Sequence, residues 1–132
     1  MSKQASSHKG RILCTEDDDD ADARELLRMV LEAAGFEVIC AEGAAQAISL
    51  ATAAKFDLYL LDNWLPEMTG DDLCRKLREF DSLTPILFYT GVETESDKAR
   101  AMAAGAQGYI VKPAHSDDLI SEILKLIPPK KA

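Results

Sequence analysis

The sequence predicts an α/β fold in which one parallel five-stranded sheet carries helices on both faces. Three observations lead there. Strand-like and helix-like segments alternate five times along the chain, the pattern of a parallel sheet built from right-handed crossovers. The run Leu58-Tyr59-Leu60-Leu61 is apolar without alternation, as in a strand buried on both faces. A carboxylate, Asp62, ends that run, at the carboxyl end of a strand, where open α/β sheets bind ligands.

Residues 11–15 read as the first strand. A helix comes next with Leu26, Leu27, Val30, Leu31 and Ala34 as an apolar stripe at helical spacing, and Gly35 sits at the C′ position. Residues 36–41 form a second strand. Residues 44–54 form an Ala-rich helix with Ile48 and Ala51 on one face. Strand three spans 57–61. The residues after Asp62 form a loop, Asn63-Trp64-Leu65-Pro66-Glu67-Met68-Thr69-Gly70, punctuated by Pro and Gly. Helix three is expected over 71–80 with Leu73, Leu77 and Phe80 inward.

Pro85 opens a fourth strand, 86–90, since proline is tolerated at a strand's first position. Thr94-Glu95-Ser96-Asp97 reads as a capping box for helix four, which ends near Gly105. Residues 107–111 form strand five. Ser116 is the expected cap of a last helix with the stripe Leu119, Ile120, Ile123, Leu124 and Ile127, stopped by Pro128-Pro129. No internal repeat or linker appears. The organisation is a polar N-terminal tail (1–10), one domain (11–127) and a C-terminal tail (128–132).

At 132 residues, with 47% hydrophobic and 29% charged, the chain can bury a substantial core. No apolar run approaches the ~18 residues of a membrane span, and residues 1–10 lack the apolar stretch of a signal peptide. A cytoplasmic protein without membrane contact is expected. The net charge of −8 argues against direct nucleic-acid binding, which needs clustered Lys and Arg. Lys130-Lys131 reads as a solvated tail. Cys14, Cys40 and Cys74 have no metal-ligand spacing and sit in apolar stretches, so reduced, buried or half-buried cysteines are expected.

The polar strand ends belong together. Strand one runs into Glu16-Asp17-Asp18-Asp19-Asp20, strand three ends in Asp62, strand four in Thr90-Gly91 and strand five in Lys112-Pro113. In a parallel sheet these ends point the same way. Clustered carboxylates favour a hard divalent cation such as Mg²⁺, which needs only two or three of them and a carbonyl. A carboxylate is also a nucleophile able to form an aspartyl-phosphate. A metal, a Lys and a hydroxyl would neutralise the oxygens of a transferring phosphoryl group.

These residues, Ile12-Leu13-Cys14-Thr15-Glu16-Asp17, Leu61-Asp62 with Pro66 and Gly70, Thr90-Gly91, and Gly108-Tyr109-Ile110-Val111-Lys112-Pro113, resemble the receiver domain of bacterial two-component response regulators. The resemblance covers nearly the whole domain. It implies a flavodoxin-like fold with strand order 2-1-3-4-5 and a phosphorylation-dependent switch that accepts a phosphoryl group on Asp62. The donor would be a histidine kinase, a phosphotransfer protein or a small phosphodonor. Glu16 and Asp17 would hold Mg²⁺ with Asp62 and the backbone carbonyl of Trp64. Lys112 would pair with Asp62 and then with the phosphoryl oxygens, and Thr90 would hydrogen-bond them. Tyr109 would turn inward as Thr90 moves, and the Lys112-Pro113 peptide would be cis. Apart from self-catalysed phosphotransfer and slow autodephosphorylation, no enzymatic turnover is implied.

The acidic loop departs from the family pattern, because the stretch between Asp17 and Arg24 is longer than usual. Either the loop carries an insertion or the metal pair shifts to Asp18 and Asp19. Glu16 and Asp17 are preferred, since residues 12–15 fit strand one; Asp18 is the additional candidate ligand. Asp18, Asp19, Asp20 and Asp22 otherwise read as a solvated loop with favourable charge at a helix N-terminus. Trp64 and Val92, two beyond Asp62 and Thr90, would flank the phosphoryl group and cannot accept a proton, so slow autodephosphorylation is expected.

The expected output is a protein contact through helix four, strand five and helix five, since no DNA-binding or enzymatic sequence comes after Ile127. The Met1 start and short tail suggest a stand-alone chain, and a phosphorylation-dependent homodimer stays open. Three other readings compete. A haloacid-dehalogenase-like phosphatase would need a second acid where Trp64 stands. A pseudo-receiver that is never phosphorylated usually lacks an acid, the acceptor or the Lys, all present here. A Rossmann unit would need a Gly-rich turn after strand one.

Overall fold

In a computed structural model, residues 9–15, 21–91, 94–112 and 114–127 are described. Strands β1 (Gly10–Thr15), β2 (Phe36–Ala41), β3 (Leu58–Leu61), β4 (Ile86–Thr90) and β5 (Gly108–Val111) alternate with helices α1 (Ala21–Ala33), α2 (Ala44–Ala53), α3 (Gly70–Arg78), α4 (Glu95–Ala104) and α5 (Ser116–Leu126). All strand pairs are parallel, in the order β2-β1-β3-β4-β5. Gly10, expected in the tail, already pairs with Phe36.

Alternation along the strands sorts the core into two layers. Leu13, Tyr59, Leu61 and Phe88 join α2, α3 and α4 through Ala44, Ala47, Ala51, Leu73, Leu77, Ala101 and Ala104. On the other face, Ile12, Cys14, Leu58, Leu60 and Leu87 meet α1 and α5 through Leu27, Leu31, Leu119, Ile123 and Ile127. Side chains leave β3 on both faces into these layers, so its uninterrupted apolar run reports burial on both sides.

The helix stripes are narrower than periodicity predicts. On α1 the buried line is Leu27–Leu31, and Leu26 is 62% exposed. On α5 it is Leu119–Ile123, continued by the C-cap Ile127, and Leu124 is 46% exposed. In each case the misassigned residue stands next in sequence to a buried one, about 100° around the helix. Phe80 is also corrected: α3 ends at Arg78, so Phe80 falls in the following turn and is 48% exposed.

Helix ends obey local chemistry. Gly35 takes φ 102° after α1, a left-handed conformation glycine adopts without Cβ strain. Thr94 caps α4, its hydroxyl accepting from the Asp97 N–H at 3.1 Å. Ser116 does not cap α5. It is the first helical residue, and His115 holds the cap position without a side-chain hydrogen bond.

Candidate functional site

Asp62 directly succeeds β3 at the carboxyl edge of the sheet and is only 7% exposed. Its carboxylate is fixed on both oxygens. Oδ1 accepts the Asn63 N–H at 2.7 Å, and Oδ2 lies 3.5 Å from Lys112 Nζ. Asp62 does not cap α3; Thr69 does, its hydroxyl accepting from the Asp72 N–H. Lys112 comes from just past β5, fifty residues along the chain, and its ammonium also stands 5.3 Å from the Tyr89 ring centroid. A buried carboxylate needs such a counter-charge, since its desolvation is otherwise uncompensated.

Thr90 ends β4 and is fully buried. Its carbonyl accepts the Lys112 N–H at 2.8 Å, so the backbone ties the hydroxyl-bearing strand end to the lysine-bearing one. Tyr109 pairs in register with Phe88, and their rings stack at 5.8 Å with an interplanar angle of 12°. The Tyr109 ring is half-buried against the core layer of α2, α3 and α4. Burial raises its phenol above the usual range, and the nearby Asp97 carboxylate adds to this.

The structure therefore brings together Asp62, Thr90 and Lys112, with Tyr109 on the neighbouring strand. Trp64 stands two residues past Asp62 in the β3–α3 loop, 54% exposed and bridged to Thr69. Glu16, Asp17, Asp18 and Asp19 lie outside the described residues. So do Val92 and Pro113, and with Pro113 the Lys112-Pro113 peptide. Among the described residues no three His, Cys, Asp or Glu side chains converge as metal ligands. The three cysteines are unbridged, with Cys14 and Cys74 buried and Cys40 half-buried.

Three supporting residues have no role predicted from the sequence, although Thr15 and Gly70 lie in its motifs. Thr15 is buried at the end of β1, and its hydroxyl accepts the Asp62 N–H at 3.4 Å. Glu67 caps α2 from the loop after Asp62, its Oε1 accepting the Ala44 N–H at 2.6 Å; a carboxylate there also complements the helix dipole. Gly70 donates its N–H to the Asn63 carbonyl at 2.7 Å, so close that a Cβ would stand 2.3 Å from the Asp62 carbonyl oxygen. Only the Pro–Gly punctuation of that loop hints at a constrained turn.

Comparison with known proteins agrees with this geometry. The pattern of the response regulator receiver domain matches residues 14–124. The chain is 34% identical over 113 residues to the cell cycle transcriptional regulator CtrA of Caulobacter vibrioides, covering 86% of this chain and 48% of that protein. It is 36% identical over 110 residues to the transcriptional regulatory protein ResD of Bacillus subtilis, covering 83% and 45%. The chain thus spans about half the length of these curated relatives. Among solved structures it resembles a CheY-like receiver domain protein of Methanospirillum hungatei JF-1, with TM-score 0.81, 30% identity and 87% and 90% of the two chains covered. It is similar also to the non-phosphorylated HemR receiver domain of Leptospira biflexa, with TM-score 0.82, 30% identity and 94% and 98% covered. No described helix is long and apolar enough to cross a membrane. With the β2-β1-β3-β4-β5 sheet and the Asp62–Thr90–Lys112 edge, these matches establish that the chain belongs to the response regulator receiver domain family.

Proposed function

We propose that this domain is a phosphorylation-dependent signalling switch of a two-component system, with Asp62 as its phosphoacceptor. The observation that carries this reading is the contact between the Asp62 carboxylate and the Lys112 ammonium at 3.5 Å, at the sheet edge where Thr90 ends β4. A carboxylate oxygen of Asp62 attacks the phosphorus of a phosphohistidine, on a kinase or phosphotransfer protein, or of a small acyl phosphate. The donor's P–N or P–O bond breaks, and an acyl phosphate forms on Asp62. Lys112 then tracks the negative charge onto the phosphoryl oxygens, and the Thr90 hydroxyl donates to one of them.

Glu16, Asp17, Asp62 and the Trp64 backbone carbonyl would hold Mg²⁺, with Asp18 as a further candidate. This oxygen-only donor set suits a hard cation, and Thr15, which touches the Asp62 N–H, leads directly into Glu16-Asp17 in sequence. Bound there, Mg²⁺ supplies charge neutralisation at the phosphoryl oxygens.

The phosphoryl group adds about −1.5 to −2 of charge. It draws on Thr90 and through it on Tyr109, biasing the surface of α4, β5 and α5 towards a protein partner. The product is a signal inside the cytoplasm, with no turnover beyond slow autodephosphorylation.

Intact-mass measurement after incubation with acetyl phosphate and Mg²⁺ tests this. One labile phosphoryl group is expected on the parent chain and none on Asp62→Asn. Retention of the label by Asp62→Asn refutes the assignment. Trp64 is the single tryptophan, so its fluorescence should respond to Mg²⁺ alone.

A further inference from the structure

Cys14 and Cys40 stand opposite each other in register on the neighbouring strands β1 and β2. Both side chains enter the layer covered by α1 and α5. Neighbouring strands lie ~4.8 Å apart, and registered Cα atoms at that spacing fall within the ~4.4–6.8 Å that a disulfide spans. Both thiols are unbridged. Cys14 is sealed from solvent, whereas Cys40 is only partly buried. The proposed switch uses neither thiol.

We infer that Cys14 and Cys40 form a redox-active thiol pair that hydroperoxides convert to an intramolecular disulfide, with Cys40 as the nucleophile and Cys14 as the resolving thiol. The neighbouring Cys14 lowers the Cys40 thiol to about 6, burial opposes this, and the Arg28 guanidinium assists. A lowered thiol favours the thiolate, the form that reacts. Cys74 provides the internal contrast. It sits on the buried face of α3 with its thiol donating to the Ala104 carbonyl, and burial pushes it up to about 11.

In the first step the Cys40 thiolate attacks one peroxide oxygen. The O–O bond breaks, hydroxide leaves and takes a proton from solvent, and Cys40 becomes a sulfenic acid. In the second, the Cys14 sulfur gives up its proton and attacks the Cys40 sulfur, and the sulfenic oxygen leaves as water. The thiols together lose two electrons, and hydrogen peroxide is reduced to two waters. Only Cys40 need meet the oxidant, so burial of Cys14 does not block the reaction and protects it from over-oxidation. In a reducing compartment the bond is transient, as in redox sensing.

The test exposes the full chain to hydrogen peroxide at neutral pH, then denatures it and counts free thiols by maleimide labelling and intact mass. Of the three cysteines, one should remain alkylatable, and peptide mapping should join the Cys14 and Cys40 peptides within one chain. A reductant should restore all three thiols. In Cys14→Ser, dimedone should capture a sulfenic acid on Cys40; in Cys40→Ser, Cys14 should stay a thiol. Three free thiols after treatment, a link through Cys74, a purely intermolecular bond, or over-oxidation of Cys40 without linkage would each overturn the inference.

Discussion

Replacing Gly70 by alanine should unsettle the site through the backbone alone. A Cβ at this position stands 2.3 Å from the Asp62 carbonyl oxygen, 2.7 Å from Phe88 Cε2 and 3.0 Å from the Asn63 Cα. A Cβ essentially never comes within 3.0 Å of another heavy atom, so α3 and the Asp62–Asn63 peptide must part by about 0.7 Å or more. The same movement strains or breaks the Gly70 N–H to Asn63 carbonyl bond, now 2.7 Å. Losing it costs ~1 kcal/mol, and residual overpacking ~1–3 kcal/mol. Because Gly70 opens α3, alanine recovers less than the ~1 kcal/mol of helix propensity seen in helix interiors. The net expectation is a loss of ~2–3 kcal/mol, or about 6–12 °C in Tm for a domain of this size. Urea unfolding monitored by circular dichroism measures the first quantity and calorimetry the second. Acetyl phosphate labelling of Asp62 should slow in the same variant, since the displacement falls on Asp62 itself. A Gly70→Ala protein within about 0.5 kcal/mol of the parent would refute the argument, because the loop would then yield without penalty.

Lys112→Met should slow labelling of Asp62 on the order of a hundredfold, the scale of losing one charge-stabilising donor; stopped-flow fluorescence of Trp64 reports the rate, and an unchanged rate removes Lys112 from the reaction. Trp64→Asn should shorten the lifetime of the phosphoryl group by giving a hydrolytic water a polar partner beside Asp62, and an equal or longer lifetime contradicts that role. At the opposite edge of the sheet, burial pushes the Asp81 carboxyl up, but hydrogen bonds from the Tyr59 and Thr84 hydroxyls and from the Thr84 and Leu83 N–H groups bring it down to about 2. A carboxylate lowered on folding contributes stability in full above its ordinary value of ~3.9 and loses it as pH falls towards 2. Tyr59→Phe removes the 2.6 Å bond to Asp81 and should cost ~1 kcal/mol at neutral pH. That difference should shrink near pH 2, where the parent also loses the contribution. Urea midpoints at both pH values decide it, and an equal difference at both would contradict the linkage.

The order of elements was legible because each rests on local signals. Apolar runs bounded by Pro, Gly and polar clusters marked the strands, and Thr94 with Asp97 marked the start of α4. Asp62, Thr90 and Lys112 were legible for a related reason: in a parallel sheet, strand ends share an edge whatever the sequence between them. Leu26, Leu124 and Phe80 were misread because periodicity marks a helical face without its centre or the helix's last residue. Those depend on which neighbour lies above the helix. Glu67 could not be anticipated, since the helix it caps, α2, begins twenty-three residues earlier.

The sequence by itself determined the alternation of strands and helices, the burial of β3 on both faces, and the residue types available at the sheet's carboxyl edge. These arise from hydrophobic periodicity and turn chemistry, which act over a few residues. Only the tertiary structure decided that Lys112 Nζ meets the Oδ2 oxygen of Asp62, that the Thr15 hydroxyl accepts the Asp62 N–H, and that Gly70 bonds the Asn63 carbonyl. It alone also set Cys14 and Cys40 side by side. Each of those contacts joins residues brought together by strand register and close packing, and none is written in the local pattern of the chain.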